Sequence, residues 1–578
     1  MKQFDGASCK ALITISIISL LVISLKTRPI LAQEKIIDRG KIVSIAMTKG
    51  FVKVIVQIEV PKIRELTGHS TKYRNIEPGQ IFSRDGIKAD MALDAAISEA
   101  SHGLLSRLRS TNALFRVNHT YITLPIVALD VSEETLLTLE IDPSVIRIVE
   151  DRPLPLVDTS IYKKYIADVV PPSLYDTVNI IGANEAWATG YTGSGWYVAV
   201  LDTGIRSSHE FFSAKTIVEA CFSALGDCPN GLTEMHGPGA ATHYENTYRG
   251  WDHGTHVTGI AAGNKENALY GVAKDADIIA IQVFSRFTAE ECDGSPCIMS
   301  YTSDQIKGLE YLYTLRGIYS IASANMSLGG GRYSNQTTCD RENASTKSAI
   351  DHLRSIGIAT VIASGNDGFC DGLNAPGCIS SAVAIGATTK SDQQTRFSNW
   401  HESMLDLFAP GQSIFSSTGD SDTSYEYWSG TSMAAPHVAG AWAILKQKNP
   451  SETVPGILNS LSTTGVPVTT LCTKQLGSKP RIKVDATLAA LSCDNPPLKV
   501  DTQYFNTVQV AYDSAPEGSI IQVQSVGFTE DLIFDRNITA TFKGGYDCDY
   551  TANPGYTIVN GSLKISNGML MIENLAIK

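Results

Sequence analysis

From about residue 175 the chain alternates short, nearly continuous apolar runs with segments of helical periodicity. A strand with both faces buried forms an unbroken apolar run, because neither side of it meets water. Such runs separated by helices predict an α/β fold, with a mostly parallel sheet covered by helices on both faces. The predicted strands are 196–201, 278–284, 320–326, 358–363 and 382–387, and the clearest helices are 303–315 and 345–355.

Two polar side chains stand where predicted strands of this sheet end. Asp202 directly follows the run 196–201, and Asn366 comes shortly after the run 358–363. In open α/β sheets, functional side chains gather at the carboxyl ends of the strands. We therefore expect both residues at the functional edge of the sheet.

Residues 51–150 show a different order of periodicities. Strand-like and helical segments follow one another as β-α-β-β-α-β, the order of a ferredoxin-like α+β module, which we assign to 33–155. Prolines then mark a linker, assigned to 156–175. The segments are 51–60, 89–109, two strands within 114–131, 132–139 and 145–150.

The first 32 residues have the layout of a secretory signal peptide. Lys2 and Lys10 precede the apolar run 11–25, and Ala32 closes the segment. A membrane anchor is the alternative, but the apolar run is short for a bilayer span. We expect export of the remaining chain.

After Cys493 the sequence changes to β-branched runs separated by Gly and Asn, as in 518–523 and 557–561. This pattern predicts a separate β-rich C-terminal domain, 494–578. Its spacing resembles the first coils of a right-handed parallel β-helix.

Of the 11 cysteines, Cys9 belongs to the predicted signal, and the other ten follow from Cys221 onward. Export permits disulfides. The sequence contains no Cys-x-x-Cys pair, so a zinc site is not favoured. The nearest pairs in sequence predict three bridges: Cys221 with Cys228, Cys292 with Cys297, and Cys472 with Cys493. Spacing assigns no partners to Cys339, Cys370, Cys378 and Cys548.

The formal net charge of -12 provides no general basic surface. Because nucleic-acid binding depends on neutralising phosphates, we expect no nucleic-acid partner.

Hydrolysis of an acyl bond at neutral pH needs a nucleophile, a base, a group that holds the base, and donors for the oxyanion. Asp202 begins an Asp-Thr-Gly turn and is the candidate orienting acid. Aspartic proteases also use this tripeptide, but in two copies, and this chain has one. His253 is the candidate base, since it opens a helical stretch of small residues.

A metal site on His253 and His256 is the alternative interpretation. The segment lacks an HExxH pattern, and Gly254 makes it a poor zinc helix. We therefore expect His256 to point inward as a hydrogen-bonded structural residue.

Ser432 lies in the most specific segment of the chain, 428–440, which reads Trp-Ser-Gly-Thr-Ser-Met-Ala-Ala-Pro-His-Val-Ala-Gly. A serine in the first turn of a helix meets unpaired N–H groups and the positive end of the helix dipole. An ordinary capping serine would not require this run of small residues. Asn366, next to Gly365, could donate to an oxyanion together with the N–H of Ser432.

These segments resemble those of the subtilisin-like serine peptidases, which carry Asp-Thr-Gly, His-Gly-Thr-His and Gly-Thr-Ser-Met-Ala-x-Pro in the chain order Asp, His, Ser. The resemblance covers about 180–491, and we assign the peptidase domain to 176–493. It implies catalytic roles for Asp202, His253, Ser432 and Asn366. It also implies a substrate-binding wall formed by Ser327, Leu328 and Gly329, which faces Ala363, Ser364 and Gly365.

The module 33–155 is similar to the inhibitory, fold-assisting propeptide of the same family. The resemblance thus implies a secreted, monomeric serine endopeptidase that attacks protein or peptide substrates through Ser432. It would be made as a precursor that cuts itself within 154–175, with its own propeptide as intramolecular inhibitor. Catalysis would require no cofactor; structural calcium is common in proteins of this kind, but no contiguous ligand loop identifies a site. A catalytically silent adhesion or glycan-binding protein that uses the C-terminal domain is the alternative.

Overall fold

A ten-stranded sheet lies at the centre of the computed structural model, which describes residues 35–60, 84–111, 113–156, 174–266, 269–473, 475–491, 495–546, 548, 550, 553 and 557–577. Within this part of the chain, eight neighbouring strands run parallel, and an antiparallel strand lies at each edge of the sheet. The α/β fold with a mostly parallel sheet is confirmed. In spatial order the parallel strands are Ile217–Phe222, Asp277–Gln282, Tyr197–Asp202, Ile321–Met326, Ala359–Ala363, Val383–Thr388, Leu407–Pro410 and Ser478–Arg481.

Alternate residues of the strands enter two cores, one on each face of the sheet. Val198 and Val200 pack in the same core as helices His253–Ala262 and Thr431–Lys448. Ala199 and Leu201 belong to the opposite core, with helices Thr302–Leu315 and Ala344–Ser355. The helices that carry His253 and Ser432 therefore share one face.

These two helices approach each other closely at Gly440. A Cβ added there would lie 2.6 Å from the carbonyl oxygen of Ala261, a separation that real Cβ atoms do not show. The small residues after Ser432 thus allow the close helix packing that their presence predicts.

Shorter elements complete the central part of the chain. The remaining helices are Leu174–Ile180, Ala183–Ala188, Gln336–Glu342, Val454–Thr464 and Val484–Ala490. Short strands pair outside the main sheet, namely Ser285–Phe287 with Cys297–Tyr301, Gly330–Tyr333 with Leu373–Ala375, Ile414–Ser417 with Tyr425–Trp428, and Asn264–Lys265 with Leu269–Tyr270.

The N-terminal module is a four-stranded antiparallel sheet with the ferredoxin-like order. Its strands are, in spatial order, Phe115–Thr120, Ile126–Val131, Val52–Ile58 and Val145–Glu150, and its predicted helices are Arg84–Ser110 and Glu133–Ile141. A further helix, Arg39–Lys49, was not predicted from the sequence. It buries only Ile42 and Ala46, so it lacks the wide apolar stripe by which a helix is recognised.

The module packs on helix Thr302–Leu315 of the central domain. Ile55, Ile126 and Ala128 from its sheet join the same core as Ile306 and Leu309. The two parts therefore share one continuous apolar interface.

The C-terminal part forms two complete coils and the first two strands of a third, and the strands of successive coils stack in parallel. Ile520–Gln524, Thr539–Tyr546 and Met569–Glu573 form one face, Gly527–Thr529, Thr557–Asn560 and Leu575–Ile577 a second, and Leu532–Phe534 with Leu563–Ile565 a third. The β-rich tail is therefore β-helix-like within the described residues.

Two of the predicted disulfides are present, Cys221–Cys228 and Cys292–Cys297. The predicted pairing of Cys472 with Cys493 is wrong, because Cys472 is bonded to Cys370. The loop around Cys472 folds over the loop after Cys370: Thr470 donates to Gln394, while Trp400 links both loops through Gln475 and Phe369. A bridge spanning 102 residues depends on this tertiary contact, which spacing along the chain does not reveal.

Of the other cysteines, Cys339 is bonded to Cys378, and Cys548 is also disulfide-bonded. The predicted signal peptide, 1–32, lies outside the described residues. In the part of the chain that the structure describes, no helix combines the length and the apolar character that a membrane crossing needs.

Candidate active site

Asp202 is the last residue of strand Tyr197–Asp202, and its side chain is buried. Its Oδ1 accepts a hydrogen bond from the backbone N–H of Thr203 at 2.8 Å. The same oxygen lies 2.8 Å from Nδ1 of His253. A buried carboxylate in this position holds the imidazole ring in one orientation.

The turn after Asp202 touches the start of helix His253–Ala262. A Cβ at Gly254 would lie 2.1 Å from the carbonyl oxygen of Gly204, and the Gly254 N–H donates to the Thr203 hydroxyl at 2.9 Å. The glycine in His-Gly-Thr-His thus allows the two motifs to meet and brings Asp202 to His253.

The contact with Asp202 determines the proton arrangement of His253. A carboxylate only accepts hydrogen bonds, so the proton is assigned to Nδ1 and the lone pair to Nε2. Among the described residues Nε2 has no hydrogen-bond partner. The Trp428 ring stacks near the imidazole, with 6.1 Å between centroids. Nε2 is therefore oriented as a proton acceptor.

His256 has a different environment. Its ring stacks on Trp428 with 4.4 Å between centroids, and its Nε2 lies 3.1 Å from the carbonyl oxygen of Glu426. The side chain is fully buried. His256 is thus a packed, hydrogen-bonded side chain, as its place in the motif predicts.

Ser432 is the second residue of helix Thr431–Lys448 and is buried. Its Oγ donates to the carbonyl oxygen of Ser327 at 3.3 Å, and the Ser327 hydroxyl donates to the carbonyl oxygen of Ser432 at 3.0 Å. In the described residues the Ser432 hydroxyl is not hydrogen-bonded to Nε2 of His253. Catalytic hydrogen bonds of free enzymes are often long and shorten in the substrate complex.

Asn366 follows Gly365, whose φ of +110° is a left-handed conformation that favours glycine. A Cβ at Gly365 would lie 1.8 Å from Oδ1 of Asn374, so no other residue fits there. The Asn366 side-chain oxygen accepts hydrogen bonds from the backbone N–H and the hydroxyl of Thr431, both at 2.9 Å. Asn366 is therefore tied to the residue before Ser432.

The last described residues of the N-terminal module lie in the cleft beside these groups. Strand Pro153–Pro155 pairs antiparallel with strand Cys297–Tyr301, and Leu156 forms an antiparallel bridge with Leu328. The Gly329 N–H points to the carbonyl oxygen of Pro155 at 3.5 Å. The segment thus lies as an added strand between strand Cys297–Tyr301 and the extended segment around Leu328, a mode of peptide binding that uses backbone hydrogen bonds.

The predicted binding residues divide into two groups. Ser327, Leu328 and Gly329 lie along this added strand and next to Ser432. On the other side, Ala363 ends its strand, the Ser364 hydroxyl donates to the carbonyl oxygen of Asn399, and the Gly365 N–H donates to the Thr431 hydroxyl. The second group supports the loop of Asn366 in this structure.

Strand Cys297–Tyr301, the other wall of the cleft, was not predicted from the sequence. Its five residues carry a β-branched and an aromatic side chain, Ile298 and Tyr301, which is a weak strand signal. The cleft has a volume of about 1300 Å³ and is lined by Leu154, Leu156, Gly250, Trp251, His253 and Asn366, among others. In the described residues no group of three or more His, Cys, Asp or Glu side chains is placed to hold a metal ion.

The model of the subtilase family matches residues 193–478, a range that contains Asp202, His253, Asn366 and Ser432. An alkaline protease of Alkalihalobacillus alcalophilus is 33% identical over 347 residues, which cover 60% of this chain and 75% of that protein. An extracellular serine proteinase of a Thermus species is 34% identical over 270 residues, 47% of this chain and 55% of that protein. Subtilisin BL of Lederbergia lenta is 34% identical over 288 residues, 50% of this chain and 89% of that protein. The chain belongs to the subtilase family of serine proteases.

Proposed function

We propose that this serine protease is a secreted endopeptidase whose catalytic triad is Asp202, His253 and Ser432. The observation that supports these roles best is the buried Asp202–His253 pair, 2.8 Å apart. His253 lines the cleft that holds the added strand, and Ser432 is hydrogen-bonded to Ser327, next to the residues along which that strand lies. Family membership supports the reaction, and the geometry supports the assignment of residues.

In the proposed reaction Ser432 Oγ attacks the carbonyl carbon of a peptide bond while Nε2 of His253 takes its proton. Asp202 holds the ring and stabilises the imidazolium that forms. The imidazolium then gives its proton to the leaving amine, and water releases the acyl group from Ser432 by the reverse sequence. Nucleophile, base and oxyanion donors are all side-chain or backbone groups, so the chemistry needs no cofactor.

The oxyanion would be held by the Asn366 side-chain amide and the backbone N–H of Ser432. The first N–H groups of an α-helix have no partner within the helix, and Ser432 lies in that first turn. With its oxygen engaged by Thr431, the Asn366 amide presents its NH2 group away from Thr431. Donors fixed before the reaction stabilise the transition state without reorganising.

Substrates would bind as an extended strand between Cys297–Tyr301 and Ser327–Gly329, as residues 153–156 do in this structure. Ala363, Ser364 and Gly365 would complete the binding site near the scissile bond. Proteins and peptides are the substrates, because only an extended backbone forms both sets of hydrogen bonds.

We further propose that the chain is a precursor with five parts: signal peptide 1–32, propeptide 33–155, linker 156–175, peptidase domain 176–493 and β-rich domain 494–578. The predicted self-cut lies between 154 and 175, and residues 157–173 lie outside the described residues. The pairing of residues 155 and 156 with the central domain narrows the choice of the cleaved bond. Pro155 and Leu156 stand opposite Gly329 and Leu328, so a substrate strand bound in the same antiparallel register would place its next residue opposite Ser327, beside Ser432. We propose cleavage between Val157 and Asp158.

After cleavage the propeptide would stay bound as a product-like inhibitor, because its apolar interface with the domain does not depend on the linker. The disulfides and the extracellular Thermus relative support export, and the mature enzyme is proposed to act outside the cell as a monomer.

N-terminal sequencing of the full chain and of Ser432→Ala tests the proposal. Both proteins should be expressed in a host without secreted proteases of its own. The unchanged chain should show a new N-terminus at Asp158, and Ser432→Ala should keep the propeptide attached. If Ser432→Ala is trimmed at the same bond, another protease makes the cut and self-processing is wrong.

A further inference from the structure

The strand that the propeptide places in the cleft alternates buried and exposed side chains. Leu154 is 7% exposed, Pro155 is exposed, and Leu156 is half-buried against the core of the central domain. Two leucines therefore enter the protein while the proline between them faces outward. The two leucines meet different glycines.

Leu156 occupies the space in which a Cβ at residue 250 would stand. A Cβ added to Gly250 would lie 2.3 Å from Cδ1 of Leu156, far closer than any real carbon contact. Gly250 also has a φ of +87°, a backbone conformation that glycine adopts most readily. The leucine side chain therefore lies directly against the backbone of Gly250.

Several hydrogen bonds hold Gly250 in place. The preceding residue, Arg249, pairs with Cys297 at the end of the cleft strand, and its N–H donates to the carbonyl oxygen of Pro296 at 3.0 Å. The carbonyl oxygen of Gly250 accepts from the His253 N–H at 3.1 Å. The opening at Gly250 is thus a fixed part of the wall, tied to the start of the helix that carries His253.

Leu154 meets Gly330 in a different way. A Cβ at Gly330 would lie 3.4 Å from Cδ2 of Leu154, which is ordinary van der Waals contact, and the φ of Gly330 is not positive. A methyl group at Gly330 would fit beside this leucine. Of the two glycines, only Gly250 would lose the space for the neighbouring leucine side chain if it carried a Cβ.

We propose that Gly250 is a specificity-determining residue that admits a leucine-sized apolar side chain two residues before the cleaved bond. The inference rests on the proposed function, because that position is counted from the bond that Ser432 attacks. The enzyme would then prefer substrates with leucine there over substrates with alanine or glycine, since leucine fills a space that smaller side chains leave empty. Discrimination by an apolar pocket typically reaches about 10- to 200-fold.

The test uses the full chain, expressed and allowed to process, and peptides that carry its residues 152–160. The position of Leu156 is leucine, alanine or glycine in the three peptides. The unchanged enzyme should cleave the leucine peptide with a kcat/KM at least about 10-fold above the glycine peptide. The ratio of two substrates in one preparation does not depend on how much of the enzyme is folded.

Gly250→Asn adds a Cβ while asparagine tolerates a positive φ better than most residues. In this variant the kcat/KM for the leucine peptide, divided by the kcat/KM for the glycine peptide, should fall to near 1. Gly330→Ala is the control within the cleft, and Gly231→Asn is the control for backbone strain. Gly231 has a φ of +75° and open space around it, so both controls should keep the ratio of the unchanged enzyme.

Equal cleavage of all three peptides by the unchanged enzyme, or an unchanged ratio in Gly250→Asn, would overturn the inference while leaving the proposed function intact. Cleavage that persists in Ser432→Ala would overturn both. These outcomes separate the role of Gly250 from the identity of the nucleophile.

Discussion

The side-chain oxygen of Asn366 accepts a hydrogen bond from the backbone N–H of Thr431 at 2.9 Å. Because a backbone N–H can only donate, the atom that faces it is the amide oxygen and not the nitrogen. The contact thereby fixes the orientation of the amide. It also ties Asn366 to the helix start at which Ser432 lies, so the proposed oxyanion donor would be in place before substrate binds.

Asn366→Asp keeps the oxygen that Thr431 binds and replaces the donating NH2 by a second oxygen. We expect turnover to fall by about 100- to 1,000-fold, the loss measured for one oxyanion donor in a subtilisin, with little change in KM. Steady-state kinetics on a peptide substrate measures the effect. Asn366→Leu, which loses the contact with Thr431 as well, should lose at least as much turnover. An unchanged kcat in Asn366→Asp would remove Asn366 from the oxyanion site.

Glu310 ties the N-terminal module, the proposed propeptide, to the central domain. Its Oε1 accepts from the backbone N–H groups of Ile122 and Thr123, both at 2.8 Å, and its Oε2 pairs with Lys307 at 2.9 Å. Glu310→Ala leaves these donors without an acceptor, at a cost of about 1–3 kcal/mol for each buried group. We expect activity to appear at least about 10-fold sooner after self-cutting, because the bound propeptide is released more readily.

Glu310→Gln is the matched control, since an amide oxygen can still accept from the loop. The lag before activity appears should therefore be close to that of the unchanged chain in Glu310→Gln, and shorter in Glu310→Ala. The lag is measured with a chromogenic peptide after the processed chain is purified. Equal lags for all three proteins would show that the loop contact does not hold the inhibitor.

The Cys370–Cys472 bridge closes a loop of 102 residues, whereas Cys221–Cys228 spans 7. The chain-entropy model assigns a bridge of about 100 residues roughly 4–5 kcal/mol and a loop of this short kind about half as much. Replacing Cys370 and Cys472 by serine should therefore lower the temperature of half-inactivation more than the same change at Cys221 and Cys228. Thermal inactivation of the processed enzymes compares the two. A larger loss for the short loop would contradict the entropic account.

The sequence predicts those parts of the site that depend on local chemistry. Asp202 and His253 each stand in a turn whose glycine allows close contact, so their local motifs contain the information that brings them together. The motif also separates the roles of His253 and His256. Both lie in one short helical segment, yet His253 contacts Asp202 whereas His256 contacts the carbonyl oxygen of Glu426.

Long-range pairing is not predicted in the same way. Strand Cys297–Tyr301 pairs with Pro153–Pro155, which lies about 145 residues earlier in the chain, and also with Ser285–Phe287. The bridge between Cys472 and Cys370 lies where the Trp400 indole N–H donates to the carbonyl oxygen of Gln475, a contact between loops that are distant in sequence. The role of Gly250 likewise depends on Leu156, and a lone glycine in the sequence shows no such contact. These contacts join residues that are distant in sequence, so the hydrophobic periodicity of the sequence does not predict them.

From the position of Asp151 we expect release of the proposed propeptide to depend on pH. It lies at the interface, where its Oδ1 accepts from the Ser303 N–H at 2.9 Å, with Asp304 and Lys53 nearby. Burial raises the pKa of Asp151 to about 6, with Asp304 also raising it and Ser303 and Lys53 opposing the shift. A released propeptide returns the group toward its ordinary value of 3.8. Docking therefore favours the protonated form.

The sign follows from these two values. The contribution of Asp151 to docking is fully present below about pH 3.8 and is lost as the pH rises through about 6. Burial also raises the pKa of Asp304, which faces His119 at 2.6 Å, so this carboxyl acts in the same direction. The processed chain should hold its propeptide more tightly at pH 5 than at pH 8.

Asp151→Asn removes the charge and keeps an oxygen for the Ser303 N–H. At pH 8 it should tighten the complex, with a ceiling of about 100-fold set by a shift of about two pKa units, and at pH 5 its effect should be much smaller. After self-cutting, Ser432 is blocked with a sulfonyl fluoride, and size-exclusion chromatography measures how much propeptide stays with the peptidase domain at each pH. Blocking Ser432 prevents digestion of the released propeptide, so retention reports binding alone. If Asp151→Asn and the unchanged chain retain the propeptide equally at pH 8, burial of this carboxylate does not weaken the complex, and the pH dependence must come from other groups.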